Sequence, residues 1–169
     1  MRRLFHILTL LMVLVVAGCT VQYKLNSASI DYSKVKTISI MDFPNQATLV
    51  YPPLSQEFTE SVKDYFARQT KLRLVPREGD LQIEGEIVGY ELTPMSTQAD
   101  GYASETKLTV TINVRYTNTT NPDEHFEERF SAYRNFEATR MLEDVQATLC
   151  DEICKEIAEQ IFNKSVANW

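Results

Sequence analysis

The segment from Lys107 to Thr117 changes polarity at every step. Leu108, Val110, Ile112, Val114 and Tyr116 alternate with Lys107, Thr109, Thr111, Asn113, Arg115 and Thr117. A period of two places the apolar set on one face of a β-strand and the polar set on the other. Eleven residues of this pattern demand a layer to cover the apolar face. The chain supplies that layer in a second, slower period. Met141, Val145, Leu149, Ile153, Ile157 and Ile161 recur at steps of four, and Leu142 and Phe162 widen the stripe. Leu54, Phe58, Val62, Tyr65 and Phe66 form a shorter stripe across residues 55–70, behind Pro52 and Pro53, which suit a first helical turn.

The remaining elements are strands. Val35 to Phe43 is rich in β-branched residues, with Ile38 and Ile40 set against Thr37, Ser39 and Met41, and Pro44-Asn45 ends it. Leu49, Val50 and Tyr51 give the following loop an unusual apolar content. Lys71 to Val75 is a short strand closed by Pro76 and Glu78-Gly79-Asp80. In Leu81 to Leu92 the apolar face passes from Leu81, Ile83 and Ile87 to Val88, Tyr90 and Leu92, and Gly85 and Gly89 flank the change, so a β-bulge is expected there. Pro94 to Ser104 reads as a long polar turn, Asn118 to Pro122 as a second turn. His125 to Tyr133 is a further strand carrying Phe126, Phe130 and Ala132 on one side.

The order β-α-β-β-β-β-α and the single apolar stripe of each helix define an α+β fold. The expected architecture is a two-layer sandwich, one mixed or antiparallel four- to five-stranded sheet with both helices on one face. The other sheet face is then polar, which antiparallel strands tolerate.

The N-terminus has a different character. Arg2 and Arg3 precede an apolar run from Leu4 to Val16, shorter than the ~20 residues of a membrane-spanning helix and suited to a secretory signal. Val16-Ala17-Gly18-Cys19 resembles the bacterial lipobox, in which the cysteine thiol receives diacylglycerol, the chain is cut before it, and the new amino group is acylated. That resemblance makes residues 1–18 a lipoprotein signal peptide, Cys19 the lipid attachment site, 19–34 a lipidated tether and 35–169 one domain. Thr20, in place of an aspartate, favours the outer membrane of a Gram-negative envelope. Two or more acyl chains, at ~0.8 kcal/mol per buried CH₂, anchor a protein stably.

Cleavage before Cys19 would remove both arginines and shift the net charge from −6 to −8. That balance excludes nucleic acid as a partner, since phosphate contacts need clustered Lys and Arg. Catalytic chemistry is poorly served. His125 stands beside Glu124, Glu127 and Glu128 and reads as an exposed strand histidine. Glu84 and Glu86 share a strand face ~7 Å apart, a spacing open to an inverting glycosidase, but the face opposite Ile83 and Ile87 suits solvent better. No phosphate-cradling G-x-x-x-x-G-K-[ST] or G-x-G-x-x-G occurs. Cys150 and Cys154, at i and i+4 on the last helix, fit half-buried core positions; an intrahelical disulfide or a metal clip are the alternatives, the latter short of ligands. The reading is a protein that is not an enzyme, with no cofactor and no metal.

Longer strings carry a resemblance. VKTISIMDFPNQATLVYPPLSQEFTESVKDYF is followed by LQIEGEIVGYELTP, the Thr-rich LTVTINVRYTN, HFEERFSAYRNFEA and a terminal helix ending IFNKSVANW. Behind a lipobox, this succession resembles the LPS-assembly lipoprotein LptE family, in a branch divergent from the enterobacterial members. The resemblance implies a two-helix sandwich and a non-enzymatic role as plug and assembly partner of the large LptD β-barrel, delivering lipopolysaccharide to the outer membrane. Of the family's residues, only the lipidated cysteine carries over, to Cys19. Residues that contact lipopolysaccharide have no matching motif here; Lys107 and Arg115, on the polar face of the central strand roughly 27 Å apart at strand spacing, are the candidates. The IMDF ending of the first strand also resembles small periplasmic lipoprotein domains of the TolB N-terminal and peptidoglycan-synthase-activator kind, which bind a partner enzyme.

Overall fold

A computed structural model describes residues 30–97 and 103–167. The expected signal peptide, Cys19 and most of the expected tether lie outside the described residues. From Ile30 the chain makes a turn in which the amides of Lys34 and Val35 donate to Asp31 O at 3.0 and 2.9 Å. It then enters β1 (Thr37–Ile40), α1 (Leu54–Gln69), β2 (Arg73–Val75), β3 (Leu81–Thr97), β4 (Ala103–Asn118), β5 (Phe126–Glu137) and α2 (Leu142–Phe162). A 3₁₀ turn at Pro122–Glu124 precedes β5, and a π-helical turn at Asn163–Ala167 follows α2.

The five strands form one sheet in the order β2-β1-β3-β4-β5. β1 runs parallel to both β2 and β3, whereas β3-β4 and β4-β5 are antiparallel. The mixed pattern follows from connection length: α1 provides the crossover that a parallel neighbour needs, and the later strands follow one another at short intervals. Asp80 locks the parallel edge. Its Oδ2 accepts from the amides of Lys36 and Thr37 at 2.8 and 2.9 Å, and these bonds, that of Lys36 first, hold the carboxyl below its ordinary range.

The core sits between the sheet and the two helices. Leu108, Val110, Ile112, Val114 and Tyr116 are at most 1% exposed, as the alternation in β4 requires. Leu54, Phe58, Val62 and Phe66 come down from α1, and Val145, Cys150, Ile153, Cys154, Ile157 and Ile161 from α2. The helices also meet each other: the Phe162 ring stands edge-on to Tyr65 and Phe66, with centroids 5.2 and 5.3 Å away. Each fully buried aliphatic or aromatic side chain contributes about 1.5–3 kcal/mol. Pro53 caps the start of α1, where a missing N–H costs nothing, and the helix stops where Thr70 N and Oγ1 both donate to Phe66 O, at 3.0 and 2.8 Å.

The expected bulge is present. The β3-β4 register shifts between Ile87 and Gly89, leaving Val88 as the extra residue and burying Ile87 and Tyr90 on the same face. Gly89 then faces Thr111, where a Cβ would stand 3.1 Å from Thr111 Cβ. Gly85 is tighter still, since a Cβ there would run into the carbonyl oxygen of Asn113.

Several expectations need correction. The first strand is shorter than residues 35–43, although its backbone stays beside β3: Met41 N donates to Ile83 O at 2.9 Å, and Asn45 bridges to Ile87. The stretch from Pro94 to Ser104 is no long turn, because β3 continues to Thr97 and β4 begins at Ala103. Pro94 is tolerated because that part of β3 lies beyond β1 and has an open edge, where a strand needs no N–H. Leu92 lies on this extension and is 37% exposed, outside the core it was expected to join. Met141, the expected start of the α2 stripe, is the N-cap residue and 71% exposed, because the helix only begins to face the sheet a turn later. The last strand runs on to Glu137, and His125 stands just before it.

Candidate interface on the open sheet face

Both helices lie on one side, so the other face of β3, β4 and β5 carries the polar half of each alternation. β4 sets Lys107, Thr109, Thr111, Asn113 and Arg115 along its centre. Cross-strand partners follow from the register: Thr93, Glu91, Gly89, Glu86 and Glu84 on β3, and Asn135, Tyr133, Ser131, Arg129 and Glu127 on β5. Threonine and serine hold the middle, where Thr111 Oγ1 donates to Ser131 Oγ at 3.3 Å. β-branched threonine suits a pleated surface while leaving a hydroxyl on it.

Charge collects at the two ends of this ladder. At one, Arg115 Nη1 donates to Glu84 Oε1 at 2.8 Å and Arg115 Nε to Glu127 Oε2 at 3.3 Å. Asn113 Nδ2 donates to Glu127 Oε1 at 3.1 Å. The bonds to Glu84 and then Glu127 raise the guanidinium's pKa further, and Glu127 is held low by Asn113 first and Arg115 second. At the other end Lys107 Nζ stands 5.5 Å from the centroid of the exposed Tyr133 ring, and Asn135 Nδ2 donates to Glu105 Oε2 at 3.0 Å. The face is thus polar, richer in carboxylates than in cations, and internally hydrogen-bonded.

The two sequence candidates for phosphate or sugar contact, Lys107 and Arg115, do share this face. Neither stands as an isolated cation. Arg115 is clasped by two carboxylates, and Lys107 lies over an aromatic ring; the partners Glu127 and Tyr133 come from β5, whose register against β4 no local pattern announces. Glu84 and Glu86 do lie on one face, but Glu84 is taken by Arg115. His125 Nε2 is 2.8 Å from Asn118 O, which occupies the ring in holding the β4-β5 turn.

Away from this face, Cys150 and Cys154 are free thiols in the core. Burial pushes Cys150 up to about 12 and Cys154 higher, so neither is a nucleophile or a ready metal ligand. The apolar loop divides: Leu49 and Val50 are 51% and 59% exposed, whereas the Tyr51 ring tilts toward Tyr90 at 6.5 Å. Beneath it, burial raises the pKa of Glu57, whose Oε2 has no hydrogen-bond partner. This carboxyl gave no signal in the sequence, where it looks like any polar residue of a helix. Among the described residues no group of His, Cys, Asp and Glu is arranged to hold a metal, and no helix is long and apolar enough to cross a membrane.

Residues 35–165 match the LptE family, described as lipopolysaccharide-assembly. The chain belongs to that family. Of the two resemblances open in the sequence, the match selects the LptE family over the enzyme-binding periplasmic domains, and it spans every strand and both helices. No curated protein matches the chain. Among solved structures, uncharacterized lipoprotein B from Nitrosomonas europaea superposes with a TM-score of 0.55 at 12% identity, covering 86% of this chain and 88% of that one. Rare lipoprotein B from Shewanella oneidensis gives 0.53 at 13% identity, covering 74% and 91%. The protein XCC0632 from Xanthomonas campestris gives 0.53 at 12% identity, covering 81% and 88%. At such identities these likenesses establish the fold alone.

Proposed function

We propose that this LptE-family chain is a lipoprotein anchored through Cys19 to the periplasmic side of the outer membrane, where it serves as plug and assembly partner of an LptD-type β-barrel in lipopolysaccharide delivery. The family match over the whole folded body carries this reading. The open face supports it. The lumen of a large outer-membrane barrel is polar, and a body inserted there gains by presenting hydroxyls, amides and compensated charges in place of a hydrophobic patch. The Thr109-Thr111-Ser131 centre with its clasped charges has that character. The protein acts by occupying space and holding a partner's shape, with no catalytic step.

The test is to extract the full chain from outer membranes in mild detergent and identify what accompanies it. One equivalent of a large β-barrel protein is expected. Thr111→Glu puts a charge in the centre of the open face, opposite Gly89 and Ser131. It should reduce barrel recovery severalfold with an unchanged circular dichroism spectrum. Full recovery would move the docking surface elsewhere, and absence of any barrel from the unsubstituted preparation would refute the function.

A further inference from the structure

Between Asp64 and Glu78 the run YFARQTKLRLVPR carries four cations, Arg68, Lys71, Arg73 and Arg77, and no carboxylate, in a chain of net charge −6. The fold lays this run along one margin of the molecule, through the last turn of α1 and then β2, which ends the sheet. Lys36 joins it from β1, where Arg73 N donates to Lys36 O at 2.9 Å. All five cations are exposed, and among the described residues none of them makes an ion pair. Asp80, close to Lys36, spends its Oδ2 on the amides of Lys36 and Thr37 and on the Thr37 hydroxyl. Leu74, in the middle of β2, is 45% exposed. A cation on an edge strand deters pairing with a foreign strand. That role accounts for Arg73, but it needs neither the cations on both sides of the strand nor an exposed leucine among them.

The margin lies where the chain enters the fold. Lys71 N donates to Tyr32 Oη at 3.4 Å, and the turn around Asp31 leads straight into β1 beside β2. Cys19 stands eleven residues before Ile30, so acyl chains on it would hold this side of the molecule within about 40 Å of the bilayer, even at full extension. We infer that the β2 margin docks on anionic phospholipid headgroups of the leaflet that holds the anchor. The inference rests on the reading of Cys19 as the lipid anchor. Guanidinium groups bind phosphate oxygens through paired N–H donors, and lysine adds a point charge. The aliphatic stems and Leu74 then lie against the headgroup boundary. Acyl chains alone leave a body free to turn about its tether, and a second contact beside the tether stops that turning. The charge is segregated in the sense this needs. α2 carries Glu143, Asp144, Asp151, Glu152, Glu156 and Glu159 against Lys155, so a surface that attracts β2 repels α2. The open face of β3, β4 and β5 stays clear of this contact and available to a barrel.

The test reads the orientation of the anchored chain. The full chain, extracted in mild detergent, is reconstituted into vesicles of phosphatidylcholine alone, with added phosphatidylglycerol, or with added lipopolysaccharide, each with a quencher lipid at headgroup depth. A fluorophore on Leu74→Cys reports contact, and one on Thr109→Cys serves as the open-face control. Cys150 and Cys154 are buried, and the unsubstituted chain gives the labelling background. Quenching at Leu74 should rise severalfold with phosphatidylglycerol and fall back at high salt, with no change at Thr109. Lys71→Glu combined with Arg73→Glu should lose the rise while circular dichroism and flotation with vesicles stay unchanged. Lys71→Arg combined with Arg73→Lys should keep it. Equal quenching with and without phosphatidylglycerol, a rise that survives the charge reversal, or a rise with lipopolysaccharide alone would overturn the inference. A chain that fails to float with phosphatidylcholine vesicles would refute the anchor by itself. The phosphatidylglycerol dependence at Leu74 still decides the margin in that case, since it is read separately from flotation.

Discussion

Arg115 and Glu84 stand directly opposite each other across the β3-β4 ladder, and their side chains meet at 2.8 Å on the open face. With Glu127 on the other flank, the one arginine of β4 is compensated from both neighbouring strands. Arg115→Ala should leave the melting temperature essentially unchanged, because exposed pairs are screened by water and salt. Its effect belongs in the titration of Glu127. That carboxyl is depressed in the fold, so its contribution is present above the ordinary carboxylate value and is lost as pH falls through the folded one. NMR titration should find the Glu127 pKa low in the parent and higher in Arg115→Ala, though still held down by Asn113. An unmoved Glu127, or a large drop in melting temperature, would contradict the clasp.

Gly85→Ala should be costly and Gly89→Ala cheaper, although both glycines lie on the same strand. A Cβ at Gly85 would run into the backbone carbonyl of Asn113, which has no side-chain freedom to retreat, whereas at Gly89 it crowds the Thr111 side chain at 3.1 Å, a tight contact that a shift of a few tenths of an ångström relieves. Overpacking penalties put Gly85→Ala at about 1–3 kcal/mol or more. Urea unfolding of the two variants side by side checks the order.

The thiols of Cys150 and Cys154 should resist a disulfide-exchange reagent at pH 8 in the native protein and react in urea. Burial lifts Cys150 to about 12 in the folded state. A raised folded pKa means that the stabilisation is complete below the unfolded value of ~8.5 and is lost as pH rises from there through the folded value. Alkaline unfolding should accordingly begin above pH ~8.5 and be relieved in part by Cys150→Ala. Rapid native-state labelling would show that the α2 seam opens.

Cys19→Ala should abolish incorporation of a labelled fatty acid and leave residues 1–18 attached. Mass spectrometry of the membrane fraction reads both outcomes at once. Label retained in the variant would place the acyl chains elsewhere.

Periodicity made much of this fold legible. A strand buried on one face must alternate, and a helix lying on a sheet must carry a stripe, so β4, α1 and α2 stand where Lys107–Thr117, Leu54–Phe66 and Met141–Ile161 put them, to within a few residues at the ends. The bulge at Val88 was legible for the same reason, since a change of parity beside glycines has few other solutions.

Register, neighbours and exposure were decided only in three dimensions. Leu92 and Met141 fit their periodic stripes, yet both end up in solvent, because a stripe says which way a side chain points and not how far the covering layer extends. Ser39 shows the converse: a polar residue on the expected outer face of β1 is 3% exposed, with its Oγ accepting from Gly79 N at 3.3 Å, because the turn before β3 folds over it. Lys107 and Arg115 could be placed on one face from β4 alone, but Glu84, Glu127 and Tyr133, which define what those cations can do, lie 12 to 31 residues away. The position of β5 at the end of the sheet, beside β4 alone among the described residues, has the same origin. Sequence specifies a strand's faces through its own alternation, while its edges depend on which other strands arrive, and that is settled by packing the whole sheet under two helices.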